Sequence, residues 1–452
     1  MRSRTPHSEK FLKYIGSNWA DRADNLPKVS VVASYASARR QAVAQKFAGE
    51  LILIEAGGTK VRSNDTDYPY RAHSAFAHLT GWGAQTVADS VLVIDARTQT
   101  TNSILFFNPT AGRDSEEFFA NSAIGEFWVG ARPTLAQVSA LLDIETRPLS
   151  ELESLIADSK AKSLEDEGLA EFVSELRLIK DEFEIAEMRS AVAASIKGFE
   201  AVARNLVDAT LHERGERVVE TAFYTQARIH GNNLGYDTIA ASGAHACILH
   251  WTNNEGAVHD GDLILVDAGV ELESLYTADI TRTIPVNGKF SMVQKKIYEA
   301  VLEAADAAFK AAKPGVKFKD VHAAAMQVIA SKVSEWGFIN MSAEESLKEE
   351  NQLHRRWMVH GTSHHLGLDV HDCAQARKEM YLDAELQPGM IFTIEPGLYF
   401  HADDLSVPEE FRGIGVRIED DVLVTETGVE NLSAALPRKV EEIEAWVISH
   451  QN

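Results

Sequence analysis

The sequence predicts a two-domain protein, with an α/β domain at residues 1–175 followed by an α+β domain at residues 176–452. The first observation is length, because 452 residues exceed what one ordinary hydrophobic core organises. The second is that strand and helix patterns alternate in the first part, whereas long helices flank groups of strands in the second. The third is a charged stretch at residues 156–168, which interrupts the apolar pattern and indicates a domain boundary nearby.

Three apolar runs in the first domain have the length and composition of strands. They are LILIEAGG (51–58), SVLVIDAR (90–97) and NSILFFNP (102–109), and the polar turn RTQTT (97–101) joins the last two. Helical patterns lie between and after them, at ARRQAVAQKFAGE (38–50) and TLAQVSALLDI (134–144). This alternation is typical of a mixed α/β domain.

The second domain begins with a long predicted helix at residues 181–206. A further helix is predicted at residues 318–336, where Gly337 supplies the stop and five side chains share one apolar face: Val321, Val328, Ile329, Val333 and Trp336. Three apolar runs predict strands: GDLILVDAGVE (261–271), GMIFTIEPGLYF (389–400) and GVRIEDDVLVT (415–425).

Composition excludes several classes of partner. With 44 Lys and Arg against 67 Asp and Glu, the formal charge of −23 would repel a phosphate backbone, so nucleic acid is not expected as a partner. No apolar run has the length of a secretory signal or a membrane span, so no membrane partner is expected either. Cys247 and Cys373 are too few for a disulfide scaffold, and reduced thiols favour a cytoplasmic location.

Histidines and carboxylates carry the chemical signal. Five of the 16 histidines fall within HRRWMVHGTSHHLGLDVHD (354–372), and imidazole is both a common metal ligand and a general acid or base. Four carboxylates lie in or directly after apolar strands, where a buried charge is costly without a cation or hydrogen bonds: Asp267, Asp279, Glu395 and Glu419. Singly, each fits a strand-end residue or a salt bridge. Together with the histidines, they favour a metal site.

An oxygen-rich donor set with one imidazole favours Mn²⁺ over a structural zinc, which prefers thiolates. Four carboxylates would neutralise two divalent ions, and two ions about 3.5–4 Å apart can share a water and lower its pKa to near neutrality. The sequence lacks the motifs GxSxG, HExxH, CxxC and GxxxxGK[ST]. A two-metal hydrolase is therefore the chemistry that the residues favour.

Four ordered segments carry a family resemblance: VDAGVELESLYTADITRT, HGTSHHLGLDVHD, TIEPGLY and GVRIEDD. They resemble the metallopeptidase family that includes methionine aminopeptidase, prolidase and aminopeptidase P. YPYRAHSAFAHLTGW resembles the N-terminal domain of prolidases and aminopeptidases P, which methionine aminopeptidases lack. The resemblance implies a pita-bread (creatinase/aminopeptidase) catalytic domain, in which two pseudo-related halves enclose a curved antiparallel sheet. Ser363 favours the aminopeptidase P branch.

The resemblance implies five ligands for two divalent ions: Asp267, Asp279, His364, Glu395 and Glu419. In this family Asp279 and Glu419 would bridge the ions, a metal-bridging hydroxide would attack the peptide, and Glu395 would also accept a proton. The family usually has ten residues between the two aspartates, whereas eleven lie between Asp267 and Asp279. An added residue reverses side-chain alternation unless a turn or bulge absorbs it, and we expect residues 274–276 to do so.

Further roles are implied for five residues that are not ligands. His371 and His250 would contact the scissile carbonyl and its oxyanion, and Arg417 would orient a ligating aspartate. His360 and Tyr399 would contribute to the substrate pocket, although His360 also fits a supporting role.

The implied activity is release of the N-terminal residue from peptides that carry proline in the second position. Two alternatives stay open: an Xaa-Pro dipeptidase, or prolidase, and a metal-free relative that binds peptides or hydrolyses creatine. Relatives form dimers or tetramers, so a homodimer or homotetramer is implied. In such an assembly Trp82 would contribute to a neighbour's site, unless it is simply a packed aromatic.

Overall fold

The computed structural model describes residues 5–23, 25–98, 102–157 and 159–451. The chain divides into two compact units, Met1–Val173 and Ser174–Asn452, and the division falls within the helix Glu167–Glu175. The predicted turn at residues 97–101 lies in part outside the described residues, since 99–101 are not described. Within the described ranges, no helix combines the length and the apolar character needed to cross a membrane.

The first unit is built on one mixed sheet. The strands of this unit are β1 (Leu51–Glu55), β2 (Val61–Ser63), β3 (Thr66–Asp67), β4 (Val91–Asp95), β5 (Asn102–Phe107), β6 (Glu145–Pro148) and β7 (Ala161–Lys162). Strands β2 and β3 form a separate antiparallel pair. Its helices are α1 (Glu9–Ile15), α2 (Val32–Lys46), α3 (Ser74–Thr80), α4 (Glu116–Ala120), α5 (Glu126–Val129), α6 (Leu135–Leu142), α7 (Leu152–Ile156) and α8 (Glu167–Glu175). The sheet order is β6-β5-β4-β1-β7, in which the two outer pairs are parallel and the inner pairs antiparallel.

The three strands predicted in this unit are confirmed as β1, β4 and β5. The predicted helices are confirmed as α2 and α6, although α2 begins six residues earlier, at Val32, and ends at Lys46 before the left-handed Gly49. Trp82 is 3% exposed and packs edge-on against Phe107 at 5.3 Å between ring centroids. A side chain buried within its own unit is not presented to a neighbour, so the contribution in trans is wrong and Trp82 is a packed aromatic.

The second unit repeats one arrangement, a pair of long helices followed by antiparallel strands. Its helices are α9 (Glu182–Ala209), α10 (Gly215–His230), α11 (Met292–Ala311), α12 (Phe318–Glu335), α13 (Ala343–Ser346) and α14 (Val440–Gln451). Its strands are β8 (Asn233–Leu234), β9 (Ile239–Ser242), β10 (Leu263–Ala268), β11 (Val270–Glu271), β12 (Ile280–Pro285), β13 (Ile391–Ile394), β14 (Gly397–Phe400), β15 (Ile414–Arg417), β16 (Asp420–Val424) and β17 (Val429–Asn431).

Two of these helices confirm sequence predictions. Helix α9 begins with a capping box, in which Asp181 and Glu184 accept each other's backbone N–H groups. Helix α12 ends at Glu335, and Gly337 follows with a φ of +76°, a left-handed conformation that glycine adopts without strain. Val321, Ile329 and Val333 are buried in the core, as the predicted apolar face requires.

The hairpin of β10 and β12 positions both aspartates. Asp267 pairs with Thr281, and the register continues unchanged to the bridge between Glu271 and Thr277. The turn beyond that bridge contains Leu275 with a φ of +72°, so the turn accommodates the additional residue as predicted. Because Asp279 lies two residues before Thr281, its side chain is on the same face of the hairpin as Asp267.

The two predicted C-terminal strands are each interrupted at a carboxylate. Residues 389–400 form β13 and β14, with Glu395 between them, and residues 415–425 form β15 and β16, with Glu419 between them. All strand pairs described in this unit are antiparallel. Thr281 of the first half forms an isolated antiparallel bridge with Glu419 of the second, which joins the two halves at the carboxylates.

Helices α9 and α10 pack closely at Gly198. We therefore predict that replacing this glycine with alanine destabilises the protein, which is the reverse of the usual effect. A Cβ at Gly198 would lie 2.5 Å from two ring carbons of Phe223, which is 0% exposed. Replacing a mid-helix glycine with alanine ordinarily stabilises by about 0.5–1 kcal/mol, whereas overpacking a core costs about 1–3 kcal/mol. Gly198→Ala should therefore lower the free energy of unfolding by about 1–2 kcal/mol, measured by urea denaturation. Ser190→Ala, on an exposed turn of the same helix, should not; a stabilised Gly198→Ala variant would contradict this packing.

Candidate metal centre

One cavity in the larger unit collects the residues that the sequence singled out. It has a volume of about 470 Å³ and is lined by nine of them: His250, Asp267, Asp279, His360, His364, His371, Glu395, Arg417 and Glu419. Tyr399 lies beside the cavity, where its hydroxyl contacts His360 Nε2 at 2.7 Å and accepts a hydrogen bond from Arg417 at 3.1 Å. Residues up to 169 positions apart in the chain therefore meet in one place.

His364 lies at the centre of the carboxylates. Its Nε2 is 3.3 Å from Asp279, 3.6 Å from Glu395 and 4.0 Å from Glu419. The donor atoms of Asp279, His364 and Glu419 all lie within 4.8 Å of one another. One cation could contact all three of these donors.

Backbone hydrogen bonds from neighbouring strands fix these donors. Thr393, in β13, donates its N–H to His364 O at 2.9 Å, and its hydroxyl accepts from His364 N at 3.2 Å. Glu395 N donates to Thr362 O at 2.9 Å. The segment that carries His364 is thereby held beside the strand that ends at Glu395.

Burial and mutual repulsion shift the carboxylates toward their protonated forms. Burial raises the pKa of Glu395 to about 7, against the opposing charges of His364 and Arg417. Burial and the charge of Asp279 raise the pKa of Glu419 well above its usual range. The pKa of Asp279 is raised as well, chiefly by burial. Without a cation, this cluster cannot keep all its charges at neutral pH.

The pKa values of the histidines in the cavity shift in opposite directions. Burial lowers the pKa of His364, but contact with Asp279 and the charge of Glu395 outweigh burial and raise it to about 9. Burial and the charge of His364 lower the pKa of His371 to about 4. Burial and Arg417 lower the pKa of His360 to about 3. His371 and His360 are therefore neutral at physiological pH, whereas His364 holds a proton in the position that a cation would take.

Arg417 orients Asp267 through a hydrogen bond. Its Nη2 donates to Asp267 Oδ2 at 2.5 Å. Arg417 also donates from Nε to the hydroxyl of Thr281 at 3.1 Å, and Thr281 donates that hydroxyl to Glu419 at 2.6 Å. These bonds occupy the outer oxygens of Asp267 and Glu419. Asp267 Oδ1 accepts a further hydrogen bond from Tyr236, and Glu419 Oε1 lies 4.0 Å from His364 Nε2.

The sequence analysis missed three residues of this site. Tyr236 donates to Asp267 at 2.7 Å and contacts Asp279 at 2.5 Å, and its pKa is raised well above the usual value by burial and by these two charges. Thr281 links Arg417 to Glu419. Asp421 accepts a hydrogen bond from Asp279 N at 3.1 Å. Asp421 had a signal, since it follows Glu419 within a further apolar strand, whereas Tyr236 lies in an irregular segment without a pattern.

The donor set fits divalent cations. Five carboxylates border the cavity, the four predicted ones and Asp237, and Arg417 is the one Arg or Lys among the described residues that line it. Asp421 Oδ1, also buried, has no hydrogen-bond partner within the described part of the chain. Hard cations prefer oxygen ligands with a minority of imidazole, which is the composition found here. Asp267, Asp279, His364, Glu395 and Glu419 are therefore the residues that would hold them.

Comparisons with protein families assign both units of the chain. Residues 186–426 match the model described as Metallopeptidase family M24. Residues 36–165 match the model described as Aminopeptidase P, N-terminal domain.

Two proteins of similar sequence are named Xaa-Pro aminopeptidases. The chain is 44% identical to Xaa-Pro aminopeptidase 1 of Streptomyces coelicolor over 460 residues, which cover 97% of this chain and 92% of that protein. It is 34% identical to Xaa-Pro aminopeptidase of Escherichia coli over 446 residues, which cover 91% and 97%.

Solved structures agree with these matches. The low-pH form of E. coli aminopeptidase P is 31% identical, with a TM-score of 0.81 over 94% of this chain and 100% of that one. A zinc-substituted E. coli aminopeptidase P in complex with product gives the same identity, TM-score and coverage. The predicted fold class, an α/β N-terminal domain with a pita-bread catalytic domain and its curved antiparallel sheet, is confirmed. The chain therefore belongs to metallopeptidase family M24, as a member of its aminopeptidase P branch.

Proposed function

We propose that the chain is a metal-dependent exopeptidase that releases the N-terminal residue from peptides with proline in the second position. The observation that carries this proposal is the single cavity in which four buried carboxylates and His364 meet beside His250 and His371. Relatives at 44% identity are named Xaa-Pro aminopeptidases, and none of the predicted ligands is missing from the sequence. A metal-free relative or a prolidase is therefore not favoured.

Two divalent ions are proposed as the cofactor. Asp267, Asp279, His364, Glu395 and Glu419 would hold the ions, and the resemblance implies that Asp279 and Glu419 would serve both. Four carboxylates balance the charge of two divalent cations, and the short distances from His364 to three of them support this grouping. Mn²⁺ is proposed because the donor set is rich in oxygen and holds one imidazole. When bound, the ions would supply Lewis acidity and lower the pKa of a water between them.

The other residues of the cavity complete the chemistry. Glu395, which the resemblance also makes a proton acceptor, would take up a proton and return it to the departing proline nitrogen. His371 and His250 can each donate a ring N–H to the carbonyl oxygen as negative charge develops on it. His360, held by Tyr399, faces the same cavity and is proposed to contact the substrate. Arg417 keeps Asp267 oriented.

The setting of the enzyme is also a proposal. The two buried, unpaired thiols support a reducing, cytoplasmic location. A homodimer or homotetramer is supported by α5, where Phe127, Trp128 and Val129 are each more than half exposed. Consecutive exposed apolar side chains are typical of a surface that another chain covers.

The metal centre is tested with Arg-Pro-Pro as substrate in the presence of Mn²⁺. Asp279→Asn removes a charge that would contact both ions, so kcat should fall by about a thousandfold and bound metal should fall with it. The exposed Asp260→Asn variant should keep both properties. Equal activity in wild type and Asp279→Asn would contradict the site assignment.

Substrate length separates the aminopeptidase from a prolidase. We expect the tripeptide Gly-Pro-Gly to be turned over at least about tenfold faster, as kcat/KM, than the dipeptide Gly-Pro, since only the tripeptide extends beyond proline. Release of free glycine by both peptides is the measurement. Selective cleavage of Gly-Pro would establish the prolidase instead.

Metal binding by the apo protein should displace protons. His364, with a pKa of about 9, and Glu395, with a pKa of about 7, must both lose their protons to bind a cation. Affinity should therefore rise with pH, by at least about a hundredfold per unit below pH 7 and at least about tenfold per unit between pH 7 and 9, since the raised pKa of Glu419 adds to the protons displaced. Titration calorimetry of Mn²⁺ in two buffers measures the protons released. Glu395→Gln should remove the steeper dependence below pH 7, and an affinity that is flat from pH 6 to 9 would refute this charge distribution.

A further inference from the structure

Glu216 is a buried carboxylate outside the proposed metal centre. It is the second residue of α10 and is 0% exposed. Its Oε1 accepts hydrogen bonds from Ser242 N and His245 Nδ1, both at 2.8 Å. Its Oε2 accepts from Trp251 Nε1 at 2.8 Å and from Gly256 N at 2.6 Å. Four donors to one carboxylate compensate the cost of burying its charge.

All four donors belong to the segment 242–256, which connects β9 to β10 and contains His250. They are at its beginning, middle and end. The backbone N–H of Glu216 also donates to Gly256 O at 3.1 Å. Glu216 therefore holds together a segment whose residues beyond 242 are not paired with another strand.

The bond to Trp251 bears directly on His250, its neighbour in the chain. The indole of Trp251 is fixed at its N–H by Glu216 and stacks on the ring of His245, 3.9 Å away at an interplanar angle of 24°. Thr252 N donates to His250 O at 3.0 Å, which closes the backbone around the histidine. His250 and Thr252 both line the cavity.

Other contacts of the segment 242–256 are made by residues that lie farther from His250 along the chain. Cys247 donates its thiol to Phe400 O at 3.3 Å. Asn254 accepts from Ala240 N at 2.9 Å and donates to Thr238 O at 2.8 Å. Neither residue is adjacent to His250 in the chain. Its two neighbours, Leu249 and Trp251, both pack against the hydrophobic core, and of the two it is Trp251 that Glu216 binds.

We infer that Glu216 is a positioning residue for His250. This inference rests on the proposed function, because His250 is proposed to donate to the substrate carbonyl. Loss of the carboxylate frees Trp251 and lets His250 leave the position in which it meets the developing oxyanion. The effect falls on kcat, since the proposed metal ligands lie on other segments.

The test is a double-mutant cycle of Glu216→Gln and His250→Ala on Arg-Pro-Pro with Mn²⁺. Glutamine keeps the size but turns an NH₂ group toward two of the four donors. Glu216→Gln alone should lower kcat at least about tenfold with KM changed less than about threefold, as expected for a lost oxyanion contact. In the His250→Ala background, the same substitution should change kcat by less than about twofold. Bound metal should equal that of the wild type.

General damage to the structure gives a different result. If Glu216→Gln damages the structure independently of His250, its effect on kcat multiplies with the effect of His250→Ala, and bound metal falls. Either result overturns the inference. An unchanged kcat in Glu216→Gln also overturns it. Trp251→Phe keeps the stacked ring and removes one donor, so it repeats the cycle if Glu216→Gln does not fold. Glu444→Gln is the matched control, because Glu444 accepts from Phe290 N at 3.0 Å away from the cavity and should leave kcat unchanged. A wild type that fails to cleave Arg-Pro-Pro refutes the proposed function instead.

Discussion

Repulsion among Asp267, Asp279, Glu395 and Glu419 is the constraint on which the structure of the larger unit depends. Four carboxylates share one cavity, and their side chains are between 2% and 15% exposed. Water cannot screen charges at this depth, so each must be balanced by a fixed group or a bound cation. Arg417, Thr281 and Tyr236 provide hydrogen bonds from behind. Cations bound in the cavity would supply the remaining positive charge.

Neighbouring carboxylates of the same segment show how selective this balance is. Asp420 and Asp421 are both 0% exposed and follow Glu419 directly. Burial opposes ionisation of Asp420, but Arg282 and Arg438 outweigh burial and lower its pKa. Asp421 has no such cation, and burial together with Asp279 raises its pKa well above the usual range. The protein thus keeps Asp420 ionised through two arginines, whereas Asp421, beside Asp279, is shifted toward its protonated form.

The sequence predicted the carboxylates and histidines that line the cavity better than the residues that support them. Asp267 and Glu395 were detectable because a charge directly after an apolar strand contradicts the strand pattern, and that contradiction is local in sequence. Tyr236, Thr281 and Glu216 show no such contradiction, since a tyrosine in an irregular segment, a threonine in a strand and a glutamate in a helix are ordinary choices. Their roles arise from contacts between segments that the sequence does not bring together. Trp82 was assigned to a neighbour's site from resemblance alone, and burial decides against it.

Ligands and hydrogen-bond donors are supported in different ways. The four proposed carboxylate ligands lie in strands or beside strand ends, and His364 lies next to the isolated bridge of His365 with Phe392, so backbone pairing fixes their direction. His250 and His371 lie in irregular segments without a ladder, so another interaction must fix them. For His250 that interaction is the buried Glu216, and beside His371 it is the buried Asp372, which pairs with Arg177 at 3.1 Å and Lys180 at 3.4 Å. A carboxylate suits this task because its two oxygens accept several donors at once, which converts a flexible segment into a fixed one. Buried acids would therefore serve this unit twice, as the proposed metal ligands and as supports for the histidines proposed to contact the substrate.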